Sequence, residues 1–234
     1  MTLQPERARL LRNIENLLVH LFTLGAVEVD IERGFELQEH RCGSERPRPP
    51  IFFNLRNADN PRKPGKLTEP DFALIAGVLL QHLRLNNVQF DAIAAIPNAG
   101  DPIGRALQQL LIQQERSATP FIPLKKHNGD IVIDGDVSRK MHSGAEVLLL
   151  DDVVSGAGSK IKPAALLRDA GFSVSRCCVL IDNEQGGSEI LAQMGIEVLA
   201  PITRRIAARI GFEHNFLDIA VLEAIDAFYA NIAA

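Results

Sequence analysis

The sequence predicts an α/β fold, a central parallel sheet flanked by helices. The first observation is a set of short, nearly continuous apolar runs: FDAIAAIP, AEVLLLDD, SVSRCCVLID and IEVLAPI. The second is that segments of helical periodicity separate them. Such alternation marks βαβ units, whose strands are buried on both faces and so lack a polar side. The third is that turn chemistry follows the runs, in PNAGDP, DDVVSGAGS and DNEQGG. In parallel sheets ligands bind at the carboxyl ends of the strands, where such loops gather.

Each element can be justified in order. Residues 5–24 carry Leu10, Leu11, Ile14, Leu17, Leu18 and Leu21 at helical spacing. GAVEVDIERGFELQ alternates as strands do. Residues 41–66 hold five prolines among many Arg and Lys, and read as a loop system around one short strand, IFFNL. A polar loop of that length in a compact domain is more often functional than idle. Glu69 to Leu85 is a second helix, opened by Thr68 as cap ahead of Glu69 and Pro70. The turn PNAGDP leads into the helix IGRALQQLLIQQ. TPFIPL is a strand, KKHNGD a polar loop and IVI a short strand. The turn SGAGS opens the helix SKIKPAALLRDAG. NEQGG precedes the helix SEILAQMG, the strand IEVLAPI follows, and two helical segments finish the chain.

At roughly 150 residues per domain, the length implies one large domain or a core with a small appendage. The boundary falls between residues 1–68 and residues 69–234. Apolar residues are 46% and charged residues 23%, which excludes wholesale disorder and fibrous classes. The net charge of −4 excludes a broad polyanion-binding surface, so nucleic acid is not an expected partner. A local phosphate site remains compatible with it. Cys177 and Cys178 are adjacent on a strand and point to opposite faces, and Cys42 stands alone. All three read as free thiols of a reducing compartment. The N-terminus lacks the apolar core of a signal peptide, and no apolar run reaches the ~18 residues of a membrane span. A cytoplasmic protein without membrane association is expected.

The chemistry concentrates in VLLLDDVVSGAGSK, residues 147–160. A buried strand delivers Asp151 and Asp152 at its end. Small residues follow, Ser155 to Ser159, and open a helix. They let backbone N–H groups approach an anion, and the helix N-terminus adds its positive dipole end. The two carboxylates would repel that anion if they faced it; they suit hydroxyls or a cation nearby. A phosphate at one end and a diol at the other describe a ribose 5-phosphate.

These residues resemble the phosphoribosyl-pyrophosphate (PRPP) motif of type I phosphoribosyltransferases. VLIDNEQGG, AIPNAGDPIGRAL and FELQ…PPIFFNLR are similar, in order, to segments of the orotate phosphoribosyltransferase branch, the last to its N-terminal hood. The resemblance implies that Asp151 and Asp152 hold the ribose hydroxyls. It implies that Ser155, Gly156, Ala157, Gly158 and Ser159 cradle the 5-phosphate. Asn98, Ala99, Gly100 and Asp101 would present N–H groups to the pyrophosphate. Lys125, Lys126 and His127 would form a mobile catalytic loop. Phe35, Gln38, Arg56 and Asn183 would face the base. Magnesium is the implied cofactor, held mostly by PRPP oxygens with Asp151 and Asp152 as the protein's candidate ligands. The implied partners are PRPP, a nucleobase and a second copy of the chain.

The branch pattern is not followed throughout. The branch's lysine and arginine toward orotate read Gln38 and Asn183 here, and Arg41, Arg46, Arg48 or Arg56 are the cations that could compensate. The Arg-Lys pair before the mobile loop reads Pro123-Leu124. Ala157 replaces a glycine and requires a negative φ. Three readings stay open: an orotate enzyme, a transferase for another base, and a PRPP- or nucleotide-binding regulatory protein.

Overall fold

The structure is a computed structural model and describes residues 3–36, 47–61, 63–115, 119–135 and 141–232. Helix α1 (Leu3–Thr23) buries Leu10, Ile14, Leu17, Leu18 and Leu21. Leu11, predicted on the same stripe, is 63% exposed, so the buried face is narrower than the spacing implied. Strand β1 (Val27–Val29) pairs antiparallel with β2 (Ile51–Phe53), Val27 opposite Phe53. Among the described residues of the alternating GAVEVDIERGFELQ, only these three are strand. Asp30 ends it, because its Oδ1 accepts the N–H groups of Glu32 and Arg33 and bends the chain into a turn.

Helix α2 (Glu69–Leu85) begins and ends where the sequence places it. Thr68 donates its N–H and hydroxyl to Asp71 Oδ2 at 2.7 and 2.6 Å. His20 Nε2 lies 2.6 Å from Asp71 Oδ1 and ties α1 to this cap. Strand β3 (Ala92–Ala95) leads to α3 (Gly100–Glu115). That helix starts inside PNAGDP, earlier than expected. β4 (Phe121–Ile122) follows.

KKHNGD is not a polar loop. β5 (Leu124–His127) and β6 (Asp130–Ile133) form an antiparallel hairpin, with Lys125 opposite Val132 and His127 opposite Asp130. Asn128 and Gly129 turn it with φ of 51° and 90°. Two left-handed residues suit the right-handed twist of a hairpin, and Asn-Gly supplies them at little steric cost.

The rest is β7 (Glu146–Val154), α4 (Gly158–Asp169), β8 (Ser173–Asp182), α5 (Gly187–Gln193), β9 (Glu197–Leu199), β10 (Ile202–Thr203), α6 (Arg204–Glu213) and α7 (Ile219–Ile232). The parallel sheet has the order β10-β8-β7-β3-β4. β9 and β10 lie end to end on one edge of β8, at Arg176–Cys178 and at Ile181–Asp182. The run IEVLAPI is thus two short strands, interrupted at Pro201, which has no N–H to give a ladder.

Both faces of the sheet are covered. Leu148, Leu150, Cys178 and Leu180 pack with residues of α1, α2, α3, α6 and α7. Val147, Leu149, Cys177 and Val179 pack on the other face with α4 and α5. The alternation follows the pleat and sends the two adjacent thiols to opposite sides, both buried and free. Cys42 lies outside the described residues. Among the described residues no helix is long and apolar enough to cross a membrane.

β3 stops at Ala95, opposite Leu150, whereas β7 continues beside β8 to Val154, opposite Asp182. Past Leu150, β7 therefore has a neighbour on one side only. That missing neighbour opens the sheet at its carboxyl end.

Candidate active site

A cleft of about 390 Å³ lies there, within the usual range for small-ligand sites. Five separate stretches of chain line it. The hood contributes Ile51, Phe52, Phe53, Arg56 and Asn60; the turn after β3 contributes Ile96 to Ala99; the hairpin contributes Lys126. β7 and the turn after it contribute Asp151, Asp152, Val153, Ser155, Gly156, Gly158, Ser159 and Lys160. Asn183, after β8, is the fifth.

Asp151 and Asp152 are inside β7 rather than at its end, which lies at Val154. Asp151 Oδ1 accepts the N–H of Asp152 at 3.0 Å, and its Oδ2 lies 2.6 Å from Lys160 Nζ. Lys160 also donates to Val153 O at 2.6 Å and to Ser159 Oγ at 3.1 Å. Sequence reading passed over Lys160 as one more residue of a helix. A signal existed: a lysine in the first turn of a helix opposes the dipole and needs a partner, and two carboxylates precede it. Asp152 is buried, and its Oδ1 accepts the N–H of Val153 at 2.8 Å. Burial, and then the neighbouring Asp151, push its carboxyl well above the usual carboxylate range against the opposing pull of Lys160 and Arg56.

Helix α4 begins at Gly158, so the turn proper is Ser155 to Ala157. Ala157 has φ −80°, an ordinary value for an alanine, and glycine is not needed there. The backbone N–H groups of Gly156 to Ser159 have no backbone acceptor among the described residues. They are the orphan donors of a helix start, beside a cleft. Gly187 supports this turn from behind: its N–H reaches Ser155 O at 3.0 Å, and a Cβ on it would sit 2.5 Å from that oxygen. Backbone contact of this kind requires glycine.

In the preceding turn Asn98 takes φ 85°, a conformation asparagine tolerates better than most. Gly100 presses the start of α3 onto β7; a Cβ there would meet Leu150 O at 2.8 Å and Asp151 Cα at 3.0 Å. Asp101 turns along its helix to Arg105, 2.7 Å away. Asn98 and Ala99 line the cleft, whereas Gly100 and Asp101 do not. Of the three hairpin residues, Lys126 reaches the wall. Lys125 pairs with Asp134 at 2.5 Å, and His127 is exposed beside Asn128 at the hairpin tip.

On the hood side Phe52 faces the cleft, and Phe35 stacks on Phe52 with ring centres 5.5 Å apart. Lys63 lies 3.9 Å above the Phe52 ring and Arg56 5.6 Å from it. Gln38, Arg41 and Arg46 lie outside the described residues. Arg48 leans toward Glu36 at 3.7 Å. Asn183 is buried, and both ends of its amide are engaged. Nδ2 donates to Ser155 Oγ at 3.2 Å and to Gln185 Oε1 at 3.1 Å, and Oδ1 accepts from the Tyr229 hydroxyl at 3.0 Å.

The protein's own donors do not complete a metal shell. Among the described residues no three His, Cys, Asp or Glu converge on a possible ion, and Asp151 is already paired with an ammonium.

No model of a known protein family matches the sequence. An orotate phosphoribosyltransferase of Sorangium cellulosum is 31% identical over 136 residues, covering 53% of this chain and 70% of that protein. The chain belongs to the orotate phosphoribosyltransferase family of type I phosphoribosyltransferases. A second family relative, from Rhodopseudomonas palustris, is 28% identical over 149 residues, 62% of this chain and 75% of its own. Solved structures share the fold. Orotate phosphoribosyltransferase from Aeropyrum pernix superimposes with a TM-score of 0.61 over 85% of this chain and 99% of its own, at 22% identity. The Francisella tularensis enzyme gives 0.66 over 90% and 96%, at 17% identity. UMP synthase of Leishmania donovani gives 0.71 at 22% identity over 93% of this chain, which spans 42% of that longer protein.

Proposed function

We propose that the chain transfers the 5-phosphoribosyl group of PRPP to a ring nitrogen of a nucleobase, with orotate the first candidate and orotidine monophosphate and pyrophosphate the products. One observation carries this reading: a single cleft brings together the open N–H groups of the phosphate turn, the carboxylate pair and the aromatic, cationic hood. In this reading the turn from Gly156 to Ser159 holds the 5-phosphate, and Asp152 accepts a hydrogen bond from a ribose hydroxyl. The bond from the anomeric carbon to the pyrophosphate oxygen breaks with its electron pair on the pyrophosphate. Lys126 and the N–H groups after Pro97 answer that developing charge. The base nitrogen forms the new bond from the Phe52 side, and Arg56 is the cation nearest to hand for an orotate carboxylate. Magnesium serving the reaction would enter on the pyrophosphate oxygens. Assembly as a homodimer is part of the proposal and rests on the family resemblance.

A second reading is a PRPP- or nucleotide-binding regulatory protein. It is favoured by the closed Lys160–Asp151 pair, which removes one carboxylate from ligand contact. Pyrophosphate release from PRPP with orotate, uracil and purine bases, beside calorimetry with PRPP, separates the two. Release with a base upholds the enzyme. PRPP binding with no release for any base upholds the regulator, and no PRPP binding overturns the enzyme and the PRPP-binding regulator alike.

A further inference from the structure

Lys160 is 2% exposed. Its ammonium has three donors, and they meet three acceptors: Asp151 Oδ2, Val153 O and Ser159 Oγ, at 2.6, 2.6 and 3.1 Å. The lysine thereby joins β7 to the phosphate turn from beneath. It also completes the partners of Asp151. That carboxylate's Oδ1 takes the Asp152 N–H at 3.0 Å, and a Cβ on Gly100 would sit 3.2 Å from it. Asp152 has no ion pair of this kind among the described residues.

We infer that Lys160 is the resident cation of the carboxylate pair: it neutralises Asp151, leaves Asp152 alone for the ribose hydroxyls, and keeps the protein from holding a divalent ion there. Without the lysine the Asp151 carboxylate would be an uncompensated charge beside a second acid and would attract a hard divalent cation. With the ammonium 2.6 Å away that charge is neutralised. The ammonium occupies Oδ2 of Asp151, and it is held there by a carbonyl and a hydroxyl as well. Only the naming of the hydroxyls rests on the phosphoribosyl reading; the charge argument does not.

Titration of Mn²⁺ into the ligand-free protein, followed by electron paramagnetic resonance of free Mn²⁺, tests it without turnover. Wild type should leave Mn²⁺ free up to about 1 mM, because the Lys160 ammonium already holds Asp151. Lys160→Met should bind Mn²⁺ at least about tenfold tighter, because removing one partner exposes a buried charge that seeks another. Mg²⁺ should displace it, Lys160→Arg should behave as wild type, and Lys160→Met with Asp151→Asn should lose the gain. Tight Mn²⁺ binding by wild type overturns the inference, as does a folded Lys160→Met protein that binds no better than wild type. Lys160→Gln replaces the Met variant if thermal melting shows that the latter does not fold. Calorimetry of wild type with ribose 5-phosphate gives a second measure that needs no variant. Equal affinity in Mg²⁺ and in EDTA supports the inference, and about a tenfold loss in EDTA overturns it. No binding of ribose 5-phosphate in either medium counts against the proposed function and leaves the Mn²⁺ result standing.

Discussion

Tyr229, on the last helix, donates its hydroxyl to Asn183 Oδ1 at 3.0 Å, and through that amide the last helix is tied to Ser155 in the turn after β7. Tyr229 is 5% exposed, and Arg204 lies 3.4 Å from its ring centre. Tyr229→Phe should keep the stacking and lose the hydroxyl. The buried Asn183 carbonyl would then lack a partner, at a cost of about 1–3 kcal/mol. Tyr229→Leu should cost about 2 kcal/mol more, because the desolvated guanidinium loses its ring as well. Urea unfolding of the two variants measures both steps, and equal stabilities would refute the separate contribution of the ring.

The two neighbouring aspartates should fail differently. Asp151→Asn leaves Lys160 as a buried cation without its counter-charge, which should cost about 3–5 kcal/mol of stability. Asp152→Asn removes no ion pair and should change stability little while weakening PRPP binding. Urea unfolding and calorimetry with PRPP, run on both variants, check the contrast. Two variants with the same stability would remove the division of roles.

Much of this was legible in the chain because it rests on local chemistry. Thr68, Glu69 and Pro70 mark the start of α2 by capping and by a proline where no N–H is needed, and the helix begins there. The apolar runs located the strands, since a doubly covered sheet leaves no polar alternation to confuse with a helix. KKHNGD misled because Lys and His dominate its composition. The Asn-Gly pair within it, which sets two left-handed residues in succession, was the stronger signal. The Asn183–Tyr229 bond was not legible for another reason. It depends on which way a side chain turns once distant segments meet, and Tyr229 lies 46 residues from Asn183.

Asp71 gives the fold a dependence on pH. Burial alone would raise its carboxyl, but the bonds from His20 and from the hydroxyl and N–H of Thr68 outweigh it and hold the group below its ordinary value of 3.8. A depressed carboxylate adds stability above its unfolded value and loses it as the pH falls through the folded one. The acid limb of the stability profile should therefore contain an Asp71 component. Asp71→Asn, which cannot ionise, should be less stable than wild type by about 1 kcal/mol at neutral pH, the scale of a helix cap. The gap should close on acidification below 3.8. Thermal melts of both proteins across that range measure it, and a gap that widens in acid would contradict the assignment.

Orotate recognition should depend on Arg56 and not on position 183. Orotate differs from uracil by a carboxylate, which needs a cationic partner once it leaves water. Asn183 is 4% exposed, carries no charge and has its amide engaged by Ser155, Gln185 and Tyr229. Arg56 lines the cleft beside Phe52, its guanidinium 5.6 Å from the ring. Arg56→Ala should therefore weaken orotate binding by about 1.5–3 kcal/mol, the value of a charge-assisted hydrogen bond. Uracil binding should be unaffected, because uracil brings no carboxylate. Asn183→Arg should not restore orotate binding, since the longer side chain would have to displace Tyr229 from a buried contact. Calorimetry with both bases, in the presence of PRPP, measures the three effects. An Arg56→Ala protein that binds orotate as wild type does, or an Asn183→Arg change that rescues it, would move the carboxylate contact away from Arg56.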